Sequence, residues 1–176
     1  QMKIETKEIS IPVLKEKEVR LFIKRIDKVH SFVSGNKWFK LKYNLLEAEK
    51  QGFNTLLTFG GAYSNHIAAT AFAAKEKGLI SIGIIRGEEY LPLNPTLRFA
   101  IESGMKLHYV SRNYYREKNS SDFLVKLKAK FGDFYLIPEG GSNELAIKGA
   151  AEILDTSDTQ DYICCAVGTG GTIAGI

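Results

Sequence analysis

Apolar and polar positions alternate along the chain in two rhythms. Short apolar runs at 55–59, 80–85, 106–110 and 134–137, bounded by polar or glycine residues, read as buried strands. Between them apolar residues recur at helical spacing. Leu41, Leu45 and Ala48 share one face of a helix predicted over 40–50, which Gly52 stops. An alanine-rich helix is predicted over 64–77 and closed by Gly78. Further helices are predicted over 96–103, 122–130 and 144–154, the first two ended by Gly104 and Gly132. A strand over 19–26 alternates apolar and basic residues, as on an exposed edge. A last apolar run, 162–167, predicts one more strand. Strands separated by helices imply βαβ units with right-handed crossovers, so the fold class is α/β with mostly parallel sheets in three α/β/α layers.

Composition narrows the picture. The 176 residues are 44% hydrophobic and 25% charged, ordinary for a folded domain and unlike disordered or collagenous chains. A chain of this length can bury a substantial core. The apolar runs are far shorter than the ~20 residues that span a bilayer. No basic stretch followed by an apolar one opens the chain, so a cytoplasmic protein without a membrane partner is expected. Lysine and arginine number 24 against 20 acidic residues, a net charge of +4. The densest basic cluster, Lys15, Lys17, Arg20, Lys24, Arg25 and Lys28, is interrupted by Glu16, Glu18 and Asp27. That describes solvated faces rather than a nucleic-acid footprint, and no nucleic-acid partner is expected.

Several residues have plain readings. Cys164 and Cys165 are neighbours, and strand neighbours point to opposite faces, so they cannot bridge; buried reduced thiols are expected. No Cys or His spacing suits a metal, and His30 and His108 read as isolated structural or surface histidines. Glu88 and Glu89 read as solvated, and Tyr114 with Tyr115 as packing. The chain stops at Ile176, in what should be the first turn of a helix. A helix cut there has little stability of its own, so the sequence reads as the front part of a longer polypeptide.

Ligands of α/β sheets bind where strands lead into helices at the carboxyl ends of the strands, and three loops here carry unusual residues. After the run 162–167 come Gly168, Thr169, Gly170, Gly171 and Thr172. Glycines let successive N–H groups converge on an anion, and the hydroxyls can donate too. The loop lacks the Walker and dinucleotide spacings, so a phosphate monoester is the natural guest; taken alone it could also be a plain glycine turn. After the run 55–59 come Gly60, Gly61, Ala62, Tyr63, Ser64, Asn65 and His66. Ser64 suits an N-cap, the N–H groups after it suit a carboxylate, and Asn65 and His66 project beside whatever binds. A simple cap would look the same. The third loop holds Ser34, Gly35, Asn36 and Lys37, with Phe32, Trp38 and Phe39 around the lysine. An apolar setting depresses an amine's pKa, and a neutral amine can form a Schiff base with an aldehyde; an ordinary exposed lysine is the alternative. Together, a nucleophilic lysine, a carboxylate site and a phosphate cup are what pyridoxal 5'-phosphate and an amino acid require.

At these residues the sequence resembles the tryptophan-synthase-β type (fold type II) of pyridoxal phosphate enzymes. Within it the resemblance is to the 1-aminocyclopropane-1-carboxylate deaminase and D-cysteine desulfhydrase family. It is carried by Gly35-Asn36-Lys37 with Lys40-Leu41, by Gly60-Gly61 with Ser64-Asn65-His66, and by Ile137-Pro138 with Gly140-Gly141-Ser142. It implies that Lys37 binds the cofactor aldehyde and moves protons at the substrate carbon. It implies that Asn65 holds the ring oxygen, that Ser64, Asn65 and His66 take the substrate carboxylate, and that Ser64 takes part in catalysis. Gly168, Thr169, Gly170, Gly171 and Thr172 would bind the phosphate, with Lys40 adding charge. His66 stands where D-cysteine desulfhydrases carry His and the cyclopropane deaminases carry Gln, which points to a D-amino-acid lyase. Trp38-Phe39, Lys42 and Tyr63 depart from the family, which usually has Thr-Arg, an acidic residue and Gln there.

The resemblance further implies a small α/β domain, residues 51–137, inserted in a larger one represented by 1–50 and 138–176. The large domain is incomplete as given, and the cofactor lies between the two. The expected reaction is a lyase or deaminase step releasing ammonia and a 2-oxo acid from a small amino acid, D-cysteine or 1-aminocyclopropane-1-carboxylate. A β-replacement enzyme, a racemase, or a non-catalytic module that binds a phosphorylated ligand are the alternatives. A symmetric homodimer is the expected assembly.

Overall fold

Residues 3–176 are described by a computed structural model. The chain begins with β1 (Thr6–Ile9), α1 (Pro12–Glu16) and β2 (Leu21–Lys24), then a single 3-10 turn at Ile26–Lys28 and the long helix α2 (Asn36–Lys50). There follow β3 (Thr55–Gly61), α3 (Asn65–Glu76), β4 (Ile80–Arg86), α4 (Pro95–Glu102) and β5 (Met105–Val110). The last elements are α5 (Arg112–Tyr115), α6 (Ser121–Phe131), β6 (Tyr135–Ile137), a 3-10 turn at Glu139–Gly141 and α7 (Glu144–Ala150).

Four strands form one parallel sheet in the order β5-β4-β3-β6, with Thr55 opposite Ile80, Leu56 opposite Tyr135 and Ser81 opposite Met105. Both faces are covered, which is why β3 and β4 are apolar almost throughout rather than alternating. On one face Leu57, Phe59, Ile82 and Ile84 pack against Phe123 and Leu127 of α6. On the other, Ile85 and Met105 pack with Ile67 and Ala71 of α3 and with Leu97 and Ala100 of α4. Helix α2 lies beside α3, its Leu41 and Ala48 sharing a cluster with Ala69, Ala73, Leu56 and Ile137. The architecture is three-layer α/β/α, as expected. Helix α7 is pressed on α2 so closely that a methyl group at Gly149 would collide with the Phe39 carbonyl.

Strands β1 and β2 form a separate antiparallel pair, Thr6 opposite Lys24, shorter than the strand expected over 19–26 and exposed along one face. Three short elements, β1, α1 and α5, went unread, because four or five residues carry too little periodicity. Helix α2 begins earlier than the pattern suggested, and α7 ends at Ala150 with turns following it.

The run 162–167 is a correction. It forms no strand: Tyr162 is 88% exposed and Val167 65%. Cys164 is exposed and Cys165 half-buried, so the expectation of buried thiols fails with it. The run has the character of a strand, but a strand needs a neighbour, and among the described residues none runs beside it. No helix among the described residues is long and apolar enough to cross a membrane.

Candidate active site

Helix α2 starts on Gly35, whose φ of 65° is the left-handed region that a side chain disfavours. This turn aims the first residues of the helix at the loop that follows the run 162–167. Asn36 donates its side-chain N–H to Thr172 Oγ1 at 2.7 Å. Lys37 and Lys40, three positions apart and so on one helix face, line a cavity of about 60 Å³ together with Gly168, Thr169, Gly170, Gly171 and Thr172.

Lys40 is 1% exposed. Its ammonium donates to Ser142 Oγ at 2.9 Å and to Thr169 Oγ1 at 3.4 Å, and those two hydroxyls are hydrogen-bonded to each other. A buried cation served only by hydroxyls lacks the counter-charge that burial normally demands. Burial, and then the neighbouring Lys37 charge, pull the Lys40 pKa down to about 8; burial lowers Lys37 as well. The loop backbone is drawn in to match. A methyl group at Gly171 would stand 2.9 Å from both Lys40 Nζ and Ser142 Oγ, so a larger residue there would displace the ammonium or the hydroxyl. Gly170 has φ 81°. The donor set of two lysines, threonine hydroxyls and glycine backbone fits a small dianion such as a phosphate monoester.

The second loop sits at the end of β3. Ser64 N–H donates to the Gly61 carbonyl at 3.0 Å, closing a turn, and Ser64 Oγ caps α3 by accepting from Ile67 N–H at 3.4 Å. Asn65 is exposed at the first position of the helix. His66 does not project beside the loop as expected. Its ring turns inward, 2% exposed, with Nε2 2.8 Å from Thr58 Oγ1. Thr58 itself donates to the Ile137 carbonyl at 2.8 Å, so it accepts from His66 and the ring proton lies on Nε2. Nδ1 is then a buried acceptor without a partner among the described residues. Burial, with the Lys37 and Lys40 charges adding, pushes the His66 pKa down to about 3, so the ring is neutral.

The loop after β6 joins the two halves. A methyl group at Gly141 would stand 3.2 Å from His66 Cε1 and 3.7 Å from Lys40 Cβ, and one at Gly140 would stand 2.6 Å from Thr169 Oγ1. All three loops singled out in the sequence therefore converge, with Lys37, Lys40 and residues 168–172 at one cavity and the start of α3 adjoining it through Gly141. Asn36, Thr58 and Ser142 were not among the candidate site residues. Asn36 and Ser142 sat inside motifs that carried the resemblance, and that adjacency was the available signal.

No protein-family model matches the chain. A Thermotoga maritima protein provisionally named 1-aminocyclopropane-1-carboxylate deaminase is 40% identical over 164 residues, covering 89% of this chain and 52% of that protein. The Arabidopsis thaliana bifunctional D-cysteine desulfhydrase/1-aminocyclopropane-1-carboxylate deaminase, a mitochondrial protein, is 36% identical over 175 residues, 89% of this chain and 44% of its own. A crystal structure of an ACC deaminase homologue superposes with a TM-score of 0.81 at 27% identity, over 99% of this chain and 55% of that one. The chain thus spans about half the length of the curated relatives it matches. Over the part it spans, the chain is similar to members of the 1-aminocyclopropane-1-carboxylate deaminase and D-cysteine desulfhydrase family, which the sequence resemblance places among the fold type II pyridoxal phosphate enzymes.

Proposed function

We propose that the whole protein is a pyridoxal 5'-phosphate-dependent lyase or deaminase that releases ammonia and a 2-oxo acid from a small amino acid, D-cysteine or 1-aminocyclopropane-1-carboxylate. The observation that carries this reading is the shared cavity of Lys37, Lys40 and the glycine loop, a nucleophile and an anion cup in one place. Gly168, Thr169, Gly170, Gly171 and Thr172 hold the cofactor phosphate through N–H and hydroxyl donors, and Lys40 supplies the positive charge. When bound, the cofactor supplies an electron sink for the bond breaking at the substrate α-carbon.

The remaining work belongs to the chain. Lys37, its amine made less basic by burial, is the residue that would hold the cofactor at its aldehyde and carry a proton at the substrate α-carbon. Asn65, free at the mouth of α3, orients the ring oxygen. Ser64 and the backbone N–H groups of Asn65 and His66 take the substrate carboxylate at the positive end of the helix. The inward ring of His66 leaves its backbone as the contacting part. Of the two substrates, the His66 position favours D-cysteine. Residues 51–137 form the small domain, and residues 1–50 and 138–176 belong to the large one. The protein acts in the cytoplasm as a homodimer, the commonest closed assembly of soluble enzymes.

Borohydride reduction followed by peptide mapping tests the reading on the full-length protein. A pyridoxyl group on Lys37, lost in Lys37→Ala, is the expected result. Turnover assays with D-cysteine and 1-aminocyclopropane-1-carboxylate then separate lyase or deaminase from β-replacement or racemase chemistry. An unmodified Lys37 in the presence of cofactor overturns the reading in favour of a non-catalytic phosphate-ligand module.

A further inference from the structure

The segment between the 3-10 turn Ile26–Lys28 and α2 has no regular structure, and α2 opens without a side-chain cap. One imidazole holds it instead. His30 Nδ1 accepts from the backbone N–H groups of Phe32, at 3.2 Å, and Val33, at 2.9 Å. Its Nε2 lies 3.2 Å from the Glu76 carboxylate at the far end of α3. The ring stacks on Trp38, with centroids 4.7 Å apart and planes within 14°, and meets Phe72 edge-on at 6.0 Å. Trp38 follows Lys37 directly, and Val33 is buried beside Leu41 of α2. A single side chain thus ties together the entry loop, the first turn of α2 and the end of α3.

The geometry also distinguishes its two ring nitrogens. A nitrogen that accepts two N–H groups carries no proton, so the ring proton is on Nε2 and is donated to Glu76, which selects that tautomer. The structural role expected of His30 is thus a specific one, a tie between three elements. The amine of a reacting lysine must be held in place, since a displacement of about 1 Å in such a group costs on the order of 10²-fold in rate.

We propose that His30 is the positioning residue for Lys37: its double acceptance from the entry loop holds the first turn of α2 so that the Lys37 amine stays in the cavity beside Lys40. The proposal rests on Lys37 being the reacting lysine. Two variants of the full-length protein separate the two contributions. His30→Phe keeps a ring on Trp38 and removes the acceptor; His30→Asn removes the ring and keeps an acceptor at the δ position.

The decisive readout is competitive labelling with acetic anhydride in the cofactor-free protein, taking Lys37 relative to Lys50, which is largely exposed. Simple destabilisation lowers the melting temperature without singling out one lysine. In His30→Phe the Lys37-to-Lys50 labelling ratio shifts by about threefold or more, the effect of a half-unit change in lysine protonation. The pH titration of the bound cofactor's absorbance shifts with it, and kcat falls about tenfold or more. In His30→Asn the labelling ratio stays within about twofold of wild type. Wild-type labelling in His30→Phe overturns the proposal. Should that variant not fold, Glu76→Gln and Glu76→Leu decide. Gln keeps an acceptor for Nε2–H and leaves Lys37 unchanged, whereas Leu shifts it; equal labelling in both overturns the proposal. If wild-type Lys37 takes no pyridoxyl group, the functional reading fails on its own, and the labelling ratio still tests His30.

Discussion

Lys40 of helix α2 and Ser142, 102 positions further along the chain, meet in a hydrogen bond of 2.9 Å between ammonium and hydroxyl. The contact fixes the loop after β6 against α2, and it leaves a buried positive charge facing Thr169 and Gly171 with no carboxylate among its hydrogen-bond partners. Such a charge is costly until an anion arrives, and the anion's arrival favours the charged form.

The pH dependence of anion binding follows from that. Before an anion binds, Lys40 titrates near 8, so it is mostly protonated at pH 7 and mostly neutral at pH 9. Binding raises its pKa, and the protein takes up a proton when it binds an anion above pH 8. Phosphate affinity of the cofactor-free, full-length protein is therefore expected to fall between pH 7 and 9. Calorimetry in two buffers of different ionisation heat reads the affinity and the proton uptake together. Lys40→Met abolishes the uptake and weakens binding about tenfold or more, since charged hydrogen bonds contribute about 1.5–3 kcal/mol. Unchanged proton uptake in that variant contradicts the assignment.

His66 makes the protein acid-sensitive. Its folded-state pKa is pushed to about 3, below the ordinary value of 6.5, so between those values the unfolded chain binds a proton that the folded chain refuses. Stability thus falls as pH drops from 6.5 towards 3, by on the order of several kcal/mol over the whole window. His66→Gln keeps a donor for Thr58 and removes the titration. Urea midpoints at pH 7 and pH 5 should separate in the wild type and lie closer together in the variant. Parallel behaviour would show that the ring is not the titrating group.

Gly60 sets how close the start of α3 comes to the sheet. A methyl group there would overlap Ile67 and stand 2.8 Å from Ser64 Oγ, so Gly60→Ala must push the capping serine and the first turn outward. A destabilisation of about 1–3 kcal/mol is expected from this overpacking. In turnover assays KM for the amino acid should rise more than the cofactor's dissociation constant, because the proposed phosphate site at residues 168–172 and Lys40 is not displaced. An equal loss of both would mean that the whole sheet edge had moved.

What the sequence disclosed tracks how local each feature is. Strands β3 and β4 were legible because burial on both faces makes them apolar over most of their length, and Ser64 was legible as a cap because capping uses only the next few residues. The start of α2 was not, since its entry depends on a left-handed Gly35 and on His30, contacts without a periodic signature. The inward turn of His66 depends on Thr58 and Ile137, brought together only by sheet pairing. Ser142 stood in a motif, but its partner Lys40 is a tertiary neighbour.

The run 162–167 offers the last prediction. Its residues Tyr162, Ile163, Cys164, Cys165, Ala166 and Val167 have the composition of a buried strand, yet Tyr162, Cys164 and Val167 are exposed. Exposed apolar strands are costly and seek pairing. The curated relatives are about twice as long as the matched segment, and in a protein of that length a further strand would have this run to pair with. A thiol reagent such as Ellman's compound should label Cys164 of the 176-residue chain at once and Cys165 more slowly. In the full-length protein both thiols should react at least about tenfold more slowly, because a thiol in a paired, two-sided strand reacts only when that strand opens. Equal rates in the two proteins would mean that the run is a surface segment in both, and that its apolar pattern serves something other than a sheet.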